Sequence, residues 1–413
     1  MPHDVHGKPV VAAAVAGALF VFMLLGFVVE SELTQYVQTS LGYRQPFFLF
    51  YVVHSAFIAI FPAHFLYLVL IRRHSPRALL TGLSQAIKGH LAPKGTKRAS
   101  ALTGPFPSYK FFRLAALCTL GATVPALLWF GSISLASISD VTAIWNTNAF
   151  FAYVFTVRLY KLRFERRKLS AVLLATIGVL LVVYGGASAG EPDETAVTKR
   201  TVYSAPLLGD VLTLIASVGY GLYQVMYKRH AALPSDPEPL ITDPPYERLS
   251  IDSDVASLDS PARSTHSLVP TPATEDVIEF TAAVPPPFGL HPNLLTSAIG
   301  LCTLVLLAPL VPLLDWAGYE EFRPPPNAWT TLSIAGIAAS GVVFNSGLMV
   351  LLNVWGPIVV SVGNLLTIVL VFIADIFFGA GASAVTLGSV LGSGCIIGAF
   401  GILVFDMLRP AAA

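Results

Sequence analysis

Charge is what this sequence has least of. Asp, Glu, Lys and Arg make up 12% of its 413 residues and apolar types 54%, against roughly 25% and 45–50% in an ordinary soluble domain. A chain so poor in charge cannot cover a soluble surface, and one so rich in apolar residues is not disordered. Net charge is +1, from 25 basic and 24 acidic residues, so the basic excess that nucleic-acid binding needs is absent. Cysteine is equally scarce. Cys118, Cys302 and Cys395 each sit in an apolar run with no CxxC spacing, which excludes a disulfide framework and a zinc site and leaves small buried hydrophobes. No Asn-x-Ser/Thr sequon occurs. No GxSxG, HExxH, P-loop or paired-carboxylate pattern occurs in a plausible context (Gly186-Ala-Ser188-Ala-Gly190 has the first spacing but ends an apolar run rather than linking a strand to a helix), so the chain does not read as an enzyme or an ATP-driven pump, and no cofactor is implied.

What the chain has instead is long apolar runs. They read as an all-α integral membrane protein with ten spans, at 10–29, 47–71, 111–134, 141–160, 169–187, 208–227, 294–314, 329–352, 357–378 and 384–408. The first run is about 20 residues long, too long for a signal-peptide core, and is taken as a permanent span. Trp355-Gly356-Pro357 marks a turn between the eighth and ninth. Residues 72–113 carry nine Lys/Arg and no acid, and 158–168 carry six more. With 21 of 25 basic residues on one side, both termini are expected in the cytoplasm.

Residues 230–292 hold 12 of 30 prolines and ten acids against two arginines. They are expected to form a disordered cytoplasmic insertion between the sixth and seventh spans. Residues 236–249 contain an acidic di-leucine pattern ending at Leu240-Ile241 and a tyrosine pattern, Tyr246 to Leu249. Both are candidate signals for sorting adaptors. Ser260-Pro261 and Thr271-Pro272 are candidate phosphorylation sites.

Ten spans invite a repeat test. A five-helix unit repeated in tandem must invert, giving halves related by an axis in the membrane plane. Residues 1–190, with a basic loop at 72–110, form the first half; 206–229 and 293–408 form the second. Asn146 to Tyr184 and Asn364 to Phe405 are the segments that correspond. Polar residues at membrane depth are costly and are functional candidates. Asn146, Tyr220, Gln224, Asn345 and Asn364 are the candidate solute-binding groups, with Thr142, Ser361 and Thr367 on the same faces. His54 and His64 are more simply structural. No Lys or Arg lies at mid-span, which argues against a phosphate-bearing solute. Acids fall at span ends: Glu30 and Glu32 after the first, Asp140 and Asp210 as helix caps, Asp375 late in the ninth. Glu32 and Asp375 are the candidate proton-coupling groups. Gly388-x-x-x-Gly392 and Gly394-x-x-x-Gly398 in the last span admit a neighbouring helix, either internal or from a second copy in a homodimer.

Several stretches carry a family resemblance: Ser31 to Tyr36 (SELTQY), Tyr43 to Phe48 (YRQPFF), Gly209 to Leu214 through Lys228, Gly318 to Phe322 (GYEEF), and Gly356 to Thr367 followed by Asp375. In these the chain resembles the drug/metabolite transporter superfamily (EamA-type), and more narrowly the nucleotide-sugar-transporter-like solute carriers of the F subgroup, fungal vacuolar members included. Glu30 stands where the family usually has serine. The resemblance implies a ten-helix inverted-repeat carrier of the vacuole or another endomembrane. The expectation is an alternating-access transporter of a neutral or zwitterionic metabolite in the lipid bilayer. A nucleotide-sugar antiporter and a non-transporting receptor or scaffold are the alternatives.

Overall fold

The computed structural model describes residues 8–93, 104–133, 135–136, 138–187, 206–233, 286–378 and 385–408, and among them the regular structure is entirely helical. The elements are α1 Lys8–Thr39, α2 Pro46–Ser55, α3 Ile60–Leu66, α4 Pro76–Leu91, α5 Ser108–Ile133, α6 Ile138–Asn146, α7 Asn148–Leu159, α8 Arg166–Ala187, α9 Pro206–His230, α10 Leu290–Leu307, α11 Leu310–Trp316, α12 Ala328–Asn364, α13 Leu366–Phe378 and α14 Leu387–Leu408. Eight helical stretches are long and apolar enough to cross a bilayer, which makes this a multi-pass membrane protein.

Most expected spans recur, with physical corrections. The first runs on: α1 crosses from Ala14 to Gln38, so Glu30 and Glu32 lie inside the helix rather than after it. Their polarity ends the apolar run but not the helix, which Thr34 supports by donating to the Glu30 carbonyl at 2.6 Å. The turn at 355–357 is real: Gly356 has φ 79° and ψ 172° inside α12. The expected loop at 72–110 contains a helix, α4, which buries Leu79, Leu83 and Ile87 against Leu68 and Leu290. That i, i+4, i+8 stripe makes it an amphipathic helix laid across one end of the bundle. The expected insertion begins later and ends earlier than drawn, because Ala231, Ala232, Leu233, Leu290 and His291 are buried. Its middle, including both sorting patterns, lies outside the described residues.

Two chain segments far apart in sequence lock the end of the bundle opposite α4. Glu320 accepts the Phe47 and Phe48 amides at 2.9 Å each, capping α2 behind its Pro46. Tyr43 donates to the Arg323 carbonyl at 2.8 Å and the Gln45 amide to the Glu321 carbonyl at 3.1 Å. Burial, with the Glu320 charge behind it, pushes the Tyr43 phenol up to about 12.

In the second span, Pro62 has no N–H to give the Ile58 carbonyl. Ser297 of α10 donates to that oxygen and to Phe57 O, and accepts from Phe61 N at 2.7 Å. Gly300 beside it lets the two backbones touch, since a Cβ there would fall 2.5 Å from Ile58 N. α8 and α14 meet through glycine on both sides. A Cβ on Gly388 would fall 2.4 Å from Gly185 Cα, and one on Gly392 2.5 Å from Gly178 O. The first glycine pair of the last span is therefore filled by an internal helix, whereas Gly394 and Gly398 meet nothing within 4 Å.

These contacts make the following outcomes expected. Glu320→Gln, which removes the second carboxylate acceptor, should cost about 1 kcal/mol. It would lower the thermal midpoint in detergent. Because the folded Tyr43 value lies above the ordinary one, its stabilisation is present below about pH 10 and lost as pH rises towards about 12. Glu320→Gln should shrink that alkaline loss. Gly388→Val should eliminate the monodisperse folded peak in size exclusion, while Gly394→Val leaves it.

Candidate functional site

A polar seam crosses the core where α7, α9 and α12 meet. Gln224 of α9 is buried at its centre. Its Oε1 accepts from Ser361 Oγ at 2.5 Å, and its Nε2 donates to Asn148 Oδ1 at 3.4 Å. Gly221 allows this approach: a Cβ there would sit 2.9 Å from both Asn148 O and Ala152 N. One turn earlier Ser217 and Thr147 share a hydrogen bond of 2.9 Å.

The seam lies between two one-residue helix irregularities, at Thr147 (φ −67°, ψ −7°) and Leu365 (φ −65°, ψ −18°), where the backbone stays right-handed helical but tightens to i→i+3 bonding. The fourth expected span is split into α6 and α7 at Thr147, and the ninth is split at Leu365 between the end of α12 and α13. The breaks have the same local form. Thr147 N bonds to Ile144 O and Phe150 N to Thr147 O; Leu365 N bonds to Val362 O and Ile368 N to Leu365 O. Each break directly follows an asparagine, Asn146 or Asn364, and carries a nearby hydroxyl bonded to a carbonyl: Thr147 to Ile144 and Thr367 to Asn364. Such i→i+3 turns leave backbone groups free for other partners.

Aromatic rings line one side of the seam. Trp129 and Trp145 have centroids 6.2 Å apart, Trp145 and Tyr220 5.1 Å, Tyr220 and Tyr223 6.0 Å, Tyr223 and Tyr227 6.2 Å. Gly121 makes room for the Tyr223 ring, which a Cβ would approach to 2.8 Å. On the other side Phe20 packs between Trp355 and Phe400.

The five expected binding residues fare differently. Gln224 is the hub, and the Tyr220 ring lies 5.1 Å from that of Trp145, the residue before Asn146, at a tilt of 31°. Asn364 is half-buried, and its Oδ1 is buried without a hydrogen-bond partner. Asn146 donates to Thr142 O and Asn345 to Gly341 O, both within their own helices. The contacts described here do not link Asn345 to Gln224. Glu32 is half-buried in α1, and the Asp375 side chain lies outside the described residues. Asp140 accepts the Tyr184 hydroxyl at 2.6 Å rather than only capping a helix.

Residues not given a binding role from sequence complete the arrangement: Asn148, Ser217 and Trp145 on the seam, and Lys228 and Asn353 beyond it. The Lys228 ammonium donates to the Asn353 carbonyl, while the Asn353 side chain is 2% exposed with neither amide atom bonded. Around them the bundle end nearest α4 is tightly packed. Gly347 to Val354 are all buried, as is the start of α10, while the far ends of α9 and α10 are largely exposed. A second chain, Ser346 to Asn293 (3.0 Å) to His64 Nδ1 (2.9 Å), crosses α12, α10 and α3 there.

No family model matches the chain. It is similar to an uncharacterized transporter of Schizosaccharomyces pombe, at 23% identity over 224 residues, 52% of this chain and 60% of that one. The chain thus spans under two thirds of that relative. A crystal structure of a protein shares the fold, with a TM-score of 0.54 and 13% identity over 95% of this chain and 98% of the other.

Proposed function

We propose that the chain is a secondary carrier of a small organic solute, working by alternating access between two inverted five-helix halves. The observation that carries the reading is the Gln224 seam, set between matched i→i+3 tightenings that follow Asn146 and Asn364. Discontinuous helices in corresponding positions of two halves are the usual architecture of a midplane transport site. The distant likeness to a transporter supports it. In this reading Asn146, Tyr220, Gln224 and Asn364 face the solute, and Asn345 lies at the margin. The tightly packed end is cytoplasmic, since the basic segments gather there, and both termini share that side. The compartment is the vacuole or another endomembrane.

Amide and hydroxyl groups beside a row of aromatic rings suit a neutral or zwitterionic metabolite with a flat apolar part. Among the described residues no Lys or Arg lies at mid-span, which weighs against nucleotide-sugar exchange.

Counterflow in proteoliposomes of the purified protein tests the reading, using a panel of labelled amino acids, vitamins, nucleosides and nucleotide-sugars. Exchange of one uncharged or zwitterionic class is expected. Exchange only of nucleotide-sugars would replace the solute assignment, and no exchange would remove the carrier reading. Gln224→Ala removes two interhelical hydrogen bonds of about 0.6 kcal/mol each. It should slow exchange roughly tenfold without losing the folded peak.

A further inference from the structure

A carboxyl group inside the first span is left unused by the seam. Glu30 lies within the Ala14–Gln38 crossing, and its Oε2 is buried with no hydrogen-bond partner. Across from it α12 presents Gly341. A Cβ there would lie 3.3 Å from Glu30 Oε1 and 2.6 Å from Val53 Cγ1, so glycine is what leaves the carboxyl its space. The polar residues flanking Gly341 are turned to their own helix: Ser340 donates to Gly336 O, and Asn345 to Gly341 O itself.

Among the described residues, the elements packed on this part of α1 bring no Lys or Arg. α12 contains no acidic, basic, histidine, cysteine or tyrosine residue. α2 has two titratable groups. Tyr51 bonds to Leu304 O, and His54 bonds to Phe50 O through Nδ1 with its ring against Phe50 and Phe57. α13 has Asp375 alone. On α1, Glu32 stands about 200° around the helix from Glu30, and Tyr36 bonds to Trp329 near the end of the crossing.

An ionised carboxylate without a cation or a donor is expensive at membrane depth. With no cluster of His, Cys, Asp or Glu able to hold a metal among the described residues, the ion that best fits this carboxyl is a proton, since metal cations need several ligands. We propose that Glu30 is a proton-binding site: it takes a proton from the aqueous phase in one access state and returns it in the other. The only bond made and broken is the carboxyl O–H. Its use in coupling rests on the carrier reading; its capacity to hold a proton does not.

The test uses the full chain in nanodiscs with dicyclohexylcarbodiimide, which adds to protonated carboxyls in apolar surroundings and leaves a stable acylurea. Peptide mass spectrometry should find Glu30 labelled at mildly acidic pH, several-fold less labelled at alkaline pH, and the label absent in Glu30→Gln. A Glu30 peptide unlabelled at every pH would overturn the proposal. In proteoliposomes loaded with the solute found by counterflow, Glu30→Gln should keep exchange and lose uptake driven by a pH gradient. Gradient-driven uptake that survives in Glu30→Gln would overturn the coupling role. A wild-type protein with no exchange would remove the carrier reading and that role together, leaving the labelling to decide the proton site.

Discussion

In a bilayer core no water is available to satisfy a backbone amide or carbonyl, so each helix that breaks must find partners for the groups it frees. This constraint governs the protein. Pro62 frees the Ile58 carbonyl, and Ser297 occupies it. The breaks at Thr147 and Leu365 are closed by i→i+3 bonds and nearby hydroxyls. Gln224 then ties the broken regions to each other through Asn148 and Ser361. Interhelical bonds of this kind are individually weak, which suits a seam that the proposed alternating access would part and re-form.

Packing divides the molecule into firm and loose contacts. α8 and α14 approach backbone to backbone through glycine, with no space for a Cβ on either side. The Glu320 cap and the Tyr43–Arg323 bond fasten one end. The seam and the packed end beside α4 are held instead by side-chain hydrogen bonds and aromatic edges. Each of these firm contacts joins a helix of one sequence half to a helix of the other, so the sets of helices they hold together are drawn from both halves.

Much of the fold was legible because hydrophobicity sets it. Apolar run length located the eight helices long enough to cross but also counted 141–160 and 357–378, which are not among them; Trp355-Gly356-Pro357 announced its turn, and the Gly388 and Gly392 spacing announced a close helix. The site was legible in part. Gln224 and Tyr220 stood out as polar groups at depth, whereas Asn148 and Ser217 looked like ordinary interhelical residues, since nothing in the sequence marks a break at Thr147 or Leu365. Neither break holds proline or glycine at its centre. Polar residues 30–35 ended the apolar run and hid the continuation of α1. The α4 stripe of Leu79, Leu83 and Ile87 was masked by the basic residues around it. Lys228 and Asn353 gained meaning only from a contact across 125 positions.

The central claim is that the seam opens during transport. The most direct measurement replaces Gln224 and Ser361 with cysteines, after Cys118, Cys302 and Cys395 are changed to alanine, and bridges the pair with a short reducible bis-thiosulfonate. The account predicts that bridging stops counterflow and that reduction restores it to the unbridged level. A bridged protein that exchanges solute as fast as the unbridged one would contradict it.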